Sequence, residues 1–489
     1  MLDIEMETSV SHFPVISESL HRELHDNLLC RWYPLVIDKK HGGYFTNVAH
    51  DWQVMPEQEK MIVSQARHLW TTSRAAMFEP GGSSYEAYAL HGLHFLRDFM
   101  WDKQYGGFYQ IRSREGSYSD CRGWGEEKRS LGNAVALLAL ASLYNLTQDH
   151  TTLAFAKKSF EWMEAHAYDV EYKGYHQYLT RQGEPFDEAS QYRSVASDMR
   201  GVGLKDYNST IHLLEAYTEL LRNWNKDALR GKLMGILELI RDTMVTRHGY
   251  LQLYFSRDWT PVTFRNSSEA TRTLNYGLDH VSFGVDLETA FFMLDASYTL
   301  GLTNDSRTLA VAKTMVDHAI EYGWDKDLGG VFDAGYYLNG SGHCSIIRNT
   351  KTWWAQAEAL NTLLVFSCIF PEDTRYSEIF EKQWFYIDKY LLDRRNGDWY
   401  ERGLDTDPLA RSGPKSHMWK CTYHTARALM NCIALTCEEE NCFAGILKHH
   451  HQLSKMIDHW KKTRLNARRT EMSAVSASSR HNGEFESDA

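Results

Sequence analysis

His41-Gly42-Gly43-Tyr44-Phe45 opens a pattern that the chain repeats: Tyr105-Gly106-Gly107-Phe108-Tyr109, Lys173-Gly174-Tyr175, His248-Gly249-Tyr250, Leu328-Gly329-Gly330-Val331-Phe332 and Asn396-Gly397-Asp398-Trp399-Tyr400. Taken at the glycine next to the aromatic segment (43, 107, 174, 249, 330 and 397), the intervals are 64, 67, 75, 81 and 67 residues. Each interval has room for two helices and their connections. Such a period fixes an architecture before any single residue is read. Helical periodicity places outer helices at about 16–36, 84–101, 152–168, 226–245, 305–323 and 375–393, and inner helices at about 62–78, 131–146, 208–223, 286–301, 353–368 and 422–437. A glycine past a helix is a C-terminal stop, and the aromatic residues beyond it read as a short strand. The expected fold is all-α: a closed (α/α)6 barrel of six helical hairpins, with short β-ribbons at one end.

A chain of 489 residues would ordinarily divide into several domains, but a repeat array escapes that expectation because each hairpin buries its apolar face on its neighbours. The expected organisation is an N-terminal extension over 1–15, the barrel over 16–440, an extra helix over 441–465 and a polar, Ser-rich, disordered tail over 466–489. Most of the 15 Trp and 27 Tyr belong to the core; the remainder suit a sugar site, where ring faces meet C–H faces. A net charge of −11 argues against a nucleic-acid surface. The chain opens on Met1-Leu2-Asp3-Ile4-Glu5, without an apolar leader, and its longest apolar run, 134–144, is too short to span a bilayer. The eight Cys form no CxxC, so a reducing cytoplasmic setting is expected. The expected partner is a small-molecule substrate, with no nucleic acid and no membrane, and the chain a monomer or homodimer.

In such a barrel, the segments leading into the inner helices gather at one mouth. Six of them carry polar or aromatic residues that a scaffold does not need: Gln65-Ala66-Arg67 with Trp70; Gly132-Asn133; Asn208 with His212; Asp286 with Glu288; Trp353-Trp354 with Glu358; and Trp419 through His424 with Arg427. Asn208 and His212 are four apart and share a helix face, which suits an amide orienting an imidazole; the alternative is a helix-packing histidine. His424 begins the last inner helix, and imidazole suits proton transfer near neutral pH. Arg67, at the inner end of an apolar helix, needs an anion or a hydroxyl-rich ligand, or else a buried ion pair with Glu288 or Glu358. No HExxH, Walker loop, complete GxGxxG or Gly-x-Ser-x-Gly elbow is present; Gly201-Val202-Gly203 lacks its third glycine. Lys448-His449-His450-His451 points its imidazoles in different directions. Neither cofactor nor metal is therefore expected, and the chemistry falls to His, Arg and carboxylates.

These residues resemble the N-acylglucosamine 2-epimerase superfamily, especially its cellobiose (mannobiose) 2-epimerase branch, over about residues 15–440. Lys351-Thr352-Trp353-Trp354-Ala355-Gln356-Ala357-Glu358-Ala359 and Trp419-Lys420-Cys421-Thr422-Tyr423-His424 carry the resemblance, supported by 65–70 and 208–216. It implies an (α/α)6 barrel that opens a reducing sugar, removes the C2 proton to give an enediolate, and returns a proton. By position, His424 is similar to one of the family's two acid/base histidines. His212 and Asn208 resemble its sugar-contacting pair, Arg67 the cation near the enediolate oxygens, and Trp353, Trp354 and Trp419 its stacking residues. Glu288, Glu358, Asn133 and Trp70 complete the expected site.

Two positions depart from the pattern. Where the family has a His-x-x-Glu motif, this chain has Val285-Asp286-Leu287-Glu288, and a family tyrosine is Leu131. Valine transfers no proton. Epimerisation exchanges a proton on both faces of the enediolate, whereas aldose–ketose isomerisation can use one base on one face. Three outcomes stay open: His280 or another residue replaces the missing group, the enzyme is a one-base isomerase, or the barrel has become a repurposed or non-catalytic relative with a less polar ligand. A glycoside hydrolase or lyase using Asp286, Glu288, Glu358 and Asp398 is the remaining alternative; an inverting pair would stand roughly 6.5–9.5 Å apart.

Overall fold

The computed structural model describes residues 13–119, 125–186, 201–338, 341–437 and 443–483. Six outer helices, α1 (13–32), α3 (83–100), α5 (150–167), α7 (227–244), α10 (306–323) and α12 (Arg375–Tyr390), alternate with six inner ones. The inner helices are α2 (Ile62–Phe78), α4 (Ser130–Thr147), α6 (Tyr207–Asn223), α9 (Phe283–Thr299), α11 (Trp353–Ile369) and α13 (Tyr423–Thr436). Each inner helix packs on the next and α13 returns to α2, closing the ring. The expected (α/α)6 barrel is therefore the observed one. Helix α4 is long and apolar enough to cross a membrane, but most of its surface is buried between its neighbours, as befits an inner staff of the barrel.

Most outer helices end in one wider, π-helical turn. Trp101, Tyr168 and Val245 each donate their N–H to the carbonyl five residues back, and the chain then leaves in an extended conformation. The glycine turn follows. Gly43 sits at φ +64°, and a Cβ there would lie 2.5 Å from Gln65 Oε1 and 2.9 Å from the Phe95 ring, so two constraints select glycine. The residue after the glycine is then held by an inner helix. Gln65 brackets the backbone N–H and C=O of Tyr44, Asn133 those of Phe108 and Gln356 those of Val331.

A second repeat underlies the first. Asp38, Asp102, Asp169, Asp325 and Asp393 each accept the backbone N–H groups two and three residues on. Each also meets a buried lysine: Lys60 at 3.1 Å, Lys128 at 3.0 Å, Lys205 at 3.1 Å, Lys351 at 2.7 Å and Lys415 at 2.7 Å. Burial raises the Asp38 carboxyl, but Arg114 and Lys60 outweigh it and hold the group at about 2. These clamps tie the turn after an outer helix to the lead-in of the next inner one. In the fourth repeat the matching positions are Thr246 and Val281, and no clamp forms.

Short antiparallel ribbons lie at the same end, pairing Lys60–Met61 with Ile111–Arg112, Lys128–Arg129 with Tyr178–Leu179, Lys205–Asp206 with Tyr254–Phe255, and Ala334–Tyr337 with Cys344–Arg348. The longest interval holds an unexpected helix, α8 (Glu269–Asp279), capped by the Ser268 side chain. The terminal helix α14 (Ala444–Gly483) continues well past residue 465; the polar stretch from 466, expected to be disordered, extends it instead. Residues 1–12, within the expected N-terminal extension, and residues 484–489, Cys121 and Cys442 lie outside the described residues.

Candidate active site

The first two turns of five of the six inner helices, all but α4, converge on a cavity of about 230 Å³. Arg67 enters from α2, Asn208, Ile211 and His212 with Tyr207 from α6, and Val285 and Glu288 from α9. Trp353 and Trp354 come from α11, His424 from α13 and Trp419 from the loop before it. That loop is fixed by charge. Lys420 donates to Asp398 at 2.5 Å and to the Lys415 carbonyl at 2.8 Å, while His417 Nδ1 accepts from the Trp419 N–H at 3.2 Å.

Two histidines face the cavity from matching settings. His424 Nδ1 lies 2.6 Å from Glu358 Oε1, and His212 Nδ1 lies 3.1 Å from Glu215 Oε2. A carboxylate at Nδ1 fixes the proton there and leaves Nε2 as the base. Burial, reinforced by Arg67 and Arg427, pushes the His424 imidazole well below its usual value, so its Nε2 is unprotonated at neutral pH. The two rings differ in one respect: Arg67 Nη2 stands 3.4 Å from His212 Nε2, while His424 has no such neighbour among its hydrogen bonds. Trp354 lies against His424, with centroids 5.8 Å apart.

Behind both histidines sits Arg427. Its guanidinium donates to Glu215 at 2.8 Å, Glu288 at 2.6 Å and Glu358 at 2.5 Å, and it stacks on the Tyr423 ring. Tyr423 in turn donates to Glu215. Burial raises Glu215, yet Arg427 and His212 hold it near 2. Glu288, Glu358 and His424 bring ligand atoms within 4.8 Å of one another, close enough together for one cation to reach all three. Arg427 already supplies the positive charge between the two carboxylates, so the donor set does not fit a metal. The same closeness removes the separation an inverting glycosidase pair needs.

Several expected residues lie elsewhere. Asn133 is fully buried and committed to Phe108 and the Arg129 carbonyl; it is a strut, because the fourth residue of an inner helix faces the glycine turn. Asp286 does the same work for Leu251, with burial raising its carboxyl well above the usual range. Asp398 is taken by Lys420. Trp70, one turn beyond Arg67, faces a different cavity farther along the barrel axis. Arg67 forms no pair with Glu288 or Glu358; it lies over the Tyr423 ring at 4.7 Å. Glu358 stands behind His424 and does not line the cavity. His280 bonds the Tyr276 carbonyl at 2.7 Å and lies outside the cavity lining, so it does not stand in for the missing imidazole. Leu131 is also absent from that lining. Sequence reasoning missed Glu215 and Tyr207. Glu215 falls three residues after His212, the i,i+3 spacing that places two side chains together.

The profile of the N-acylglucosamine 2-epimerase family matches residues 43–428. This chain belongs to that family. A cellobiose 2-epimerase of Bacteroides fragilis is 26% identical over 86% of this chain and 98% of its own length. Among solved structures, a cellobiose 2-epimerase from Bacillus thermoamylovorans superposes with a TM-score of 0.73 at 24% identity, covering 86% of this chain and 99% of that one. A D-mannose isomerase superposes with a TM-score of 0.71 at 18% identity, covering 86% and 97%. In this family member the match stops at residue 428, before α14.

Proposed function

We propose that this chain interconverts a reducing aldose and its 2-ketose, with His424 as the single carbon base. The observation that carries the reading is His424 on the cavity wall with Glu358 behind it, together with the apolar Val285 at the wall position where a second imidazole would stand. The relatives named above are 2-epimerases and an isomerase, both of which act next to a sugar carbonyl. In the proposed step, Nε2 of His424 takes the C2 proton of the open-chain sugar. The C2–H electron pair forms the C1=C2 bond, and the carbonyl π pair moves to O1. Arg67 offsets that oxyanion charge. The imidazolium returns its proton to C1 on the same face, the O2 hydroxyl proton passes to O1, and the C2–O2 carbonyl of the ketose forms. His212, held by Glu215, handles hydroxyl protons, and Trp354 and Trp419 provide ring faces for the sugar. The electrostatics support this use of His424, since a neutral imidazole with a fixed Nδ1 proton is the form a base requires.

A second reading is 2-epimerisation, favoured by the matching His212–Glu215 pair on the same cavity. Incubation with glucose, mannose, N-acetylmannosamine and cellobiose in D2O, followed by NMR, separates the two. The isomerase produces a ketose, labelled at C1 to the extent that the imidazolium proton exchanges with D2O before it is returned. A C2-labelled epimer without ketose would replace the first reading by the second, and absence of both product and exchange with every sugar would remove both.

A further inference from the structure

The inner helices enclose a second cavity, built from their C-terminal halves rather than their first turns. It measures about 310 Å³ and continues into a space of about 260 Å³ that shares Arg74, His449 and Gln452. Its far wall is α14, which lies beyond the part of the chain matched to the family. Glu215 and Arg427 line this cavity while holding His212 and Glu358 on their other side, so one layer of side chains separates it from the candidate active site.

The polar groups here are unevenly satisfied. Each carboxylate already accepts from a cation: Glu215 from Arg427 at 2.8 Å, Glu219 from Arg222 at 2.9 Å, and Asp295 from Arg222. Glu219 also accepts from Asn145 at 2.6 Å. Arg74 is held more loosely. It forms an ion pair with Glu219 at 3.7 Å, too long for a hydrogen bond, and lies 5.7 Å from the Trp70 ring. A guanidinium carries five N–H donors in a planar fork that matches a carboxylate. Arg427 Nε is buried and has no hydrogen-bond partner. The rest of the wall mixes apolar side chains, Leu138, Phe291 and Leu453 among them, with the polar Asn431, His449 and Gln452. Lys448 stands exposed where the smaller space reaches the surface, a favourable charge for an approaching anion.

We propose that this closed-end cavity is a binding site for a small organic carboxylate, with the carboxylate on Arg74 and its apolar body against the aromatic and aliphatic wall. A guanidinium that makes an ion pair but no hydrogen bond calls for an acceptor-only group, and the apolar part of the lining calls for carbon rather than a fully hydrated anion. The site is separate from the sugar cavity and does not depend on the activity proposed above.

The test uses the full chain with three probes: benzoate, the neutral isostere benzyl alcohol, and inorganic phosphate. Binding is measured by titration calorimetry and ligand-observed NMR on the wild type, Arg74→Met and Arg74→Lys. Benzoate is expected to bind, benzyl alcohol and phosphate to bind far more weakly, and Arg74→Met to lose roughly ten- to hundredfold in affinity, the loss of charge-assisted hydrogen bonds. Arg74→Lys keeps the charge and is expected to fall between them. Excess sugar substrate should leave benzoate bound. The proposal is overturned by a wild type that binds no benzoate, by unchanged affinity in folded Arg74→Met, by phosphate binding as tightly as benzoate, or by displacement with sugar. Circular dichroism of the variants establishes folding, and the wild-type titration stands on its own should a variant fail to fold.

Discussion

Replacing Glu358 by Gln tests the base assignment most directly. The wild-type carboxylate accepts from His424 Nδ1 at 2.6 Å and from Arg427 Nη2 at 2.5 Å and is fully buried. Both bonds fall on one oxygen, Oε1, while Oε2 has no hydrogen-bond partner. A glutamine therefore keeps its amide oxygen on both donors and puts its NH2 in the place of Oε2. The Nδ1 proton stays where it is, but the imidazolium formed when Nε2 takes the C2 proton loses the negative charge beside it. Loss of a charge-assisted hydrogen bond is worth about 1.5–3 kcal/mol, or roughly ten- to hundredfold in kcat. Stability changes less, because Arg427 keeps Glu215 and Glu288 and no charge is left unpaired. The assay is the disappearance of the sugar C2–H resonance in D2O, with KM from the concentration dependence and folding from circular dichroism. KM is expected to stay within a few-fold of wild type. A folded variant whose exchange rate lies within about fivefold of wild type would refute the charge argument, and with it the role of His424.

Val285→His is expected to add C2 epimer to the ketose, since it places an imidazole on the cavity wall; product NMR that shows no epimer from a folded variant counts against Val285 as the cause of one-base chemistry. Asn133→Ala is expected to lower stability by about 1–3 kcal/mol, because the buried backbone of Phe108 loses its partner, while KM is unchanged; urea unfolding and sugar kinetics measure the two. The fully buried His68 is held neutral, its value lowered by burial to about 3. Between that value and the unfolded one near 6.5, the unfolded chain takes a proton that the native state refuses, so stability is full above about pH 6.5 and falls with falling pH by about 1.4 kcal/mol per unit from this group. In His68→Gln, urea unfolding at pH 7, 6 and 5 is expected to lose that share of the slope; a constant difference from wild type across those pH values contradicts it.

The glycine–aromatic turns exposed the barrel to sequence reading because each hairpin needs one stop and one short strand, and both have strong residue preferences. Arg67, His212, Glu288 and His424 were legible for a related reason: polar residues in the first turns of otherwise apolar helices have few places to go except the mouth. Asn133 satisfied the same rule and broke the inference. Its helix position matches those of Gln65 and Gln356, and only the fold shows that this position looks sideways at a turn. Trp70 failed through depth rather than direction, since one further helical turn carries a side chain about 5 Å along the axis and into the other cavity. The aspartate–lysine clamps escaped notice because their two halves are 22 to 36 residues apart and neither residue type is unusual alone. Helix α8 left its mark only as the longest interval.

The unclamped fourth turn bears on how this barrel can diverge. At a clamped turn, shifting either end would pull a buried ammonium off its carboxylate, leaving both charges stranded in the core, an expensive event. At Thr246 and Val281 there is no charge to strand, and that is where the chain carries an additional helix and the altered residue of the site. The fourth hairpin is thus the one whose lead-in no buried ion pair of this kind holds. Loops exchanged between about 256 and 280 should alter what the mouth accepts while the five clamped repeats keep the remaining side chains in register.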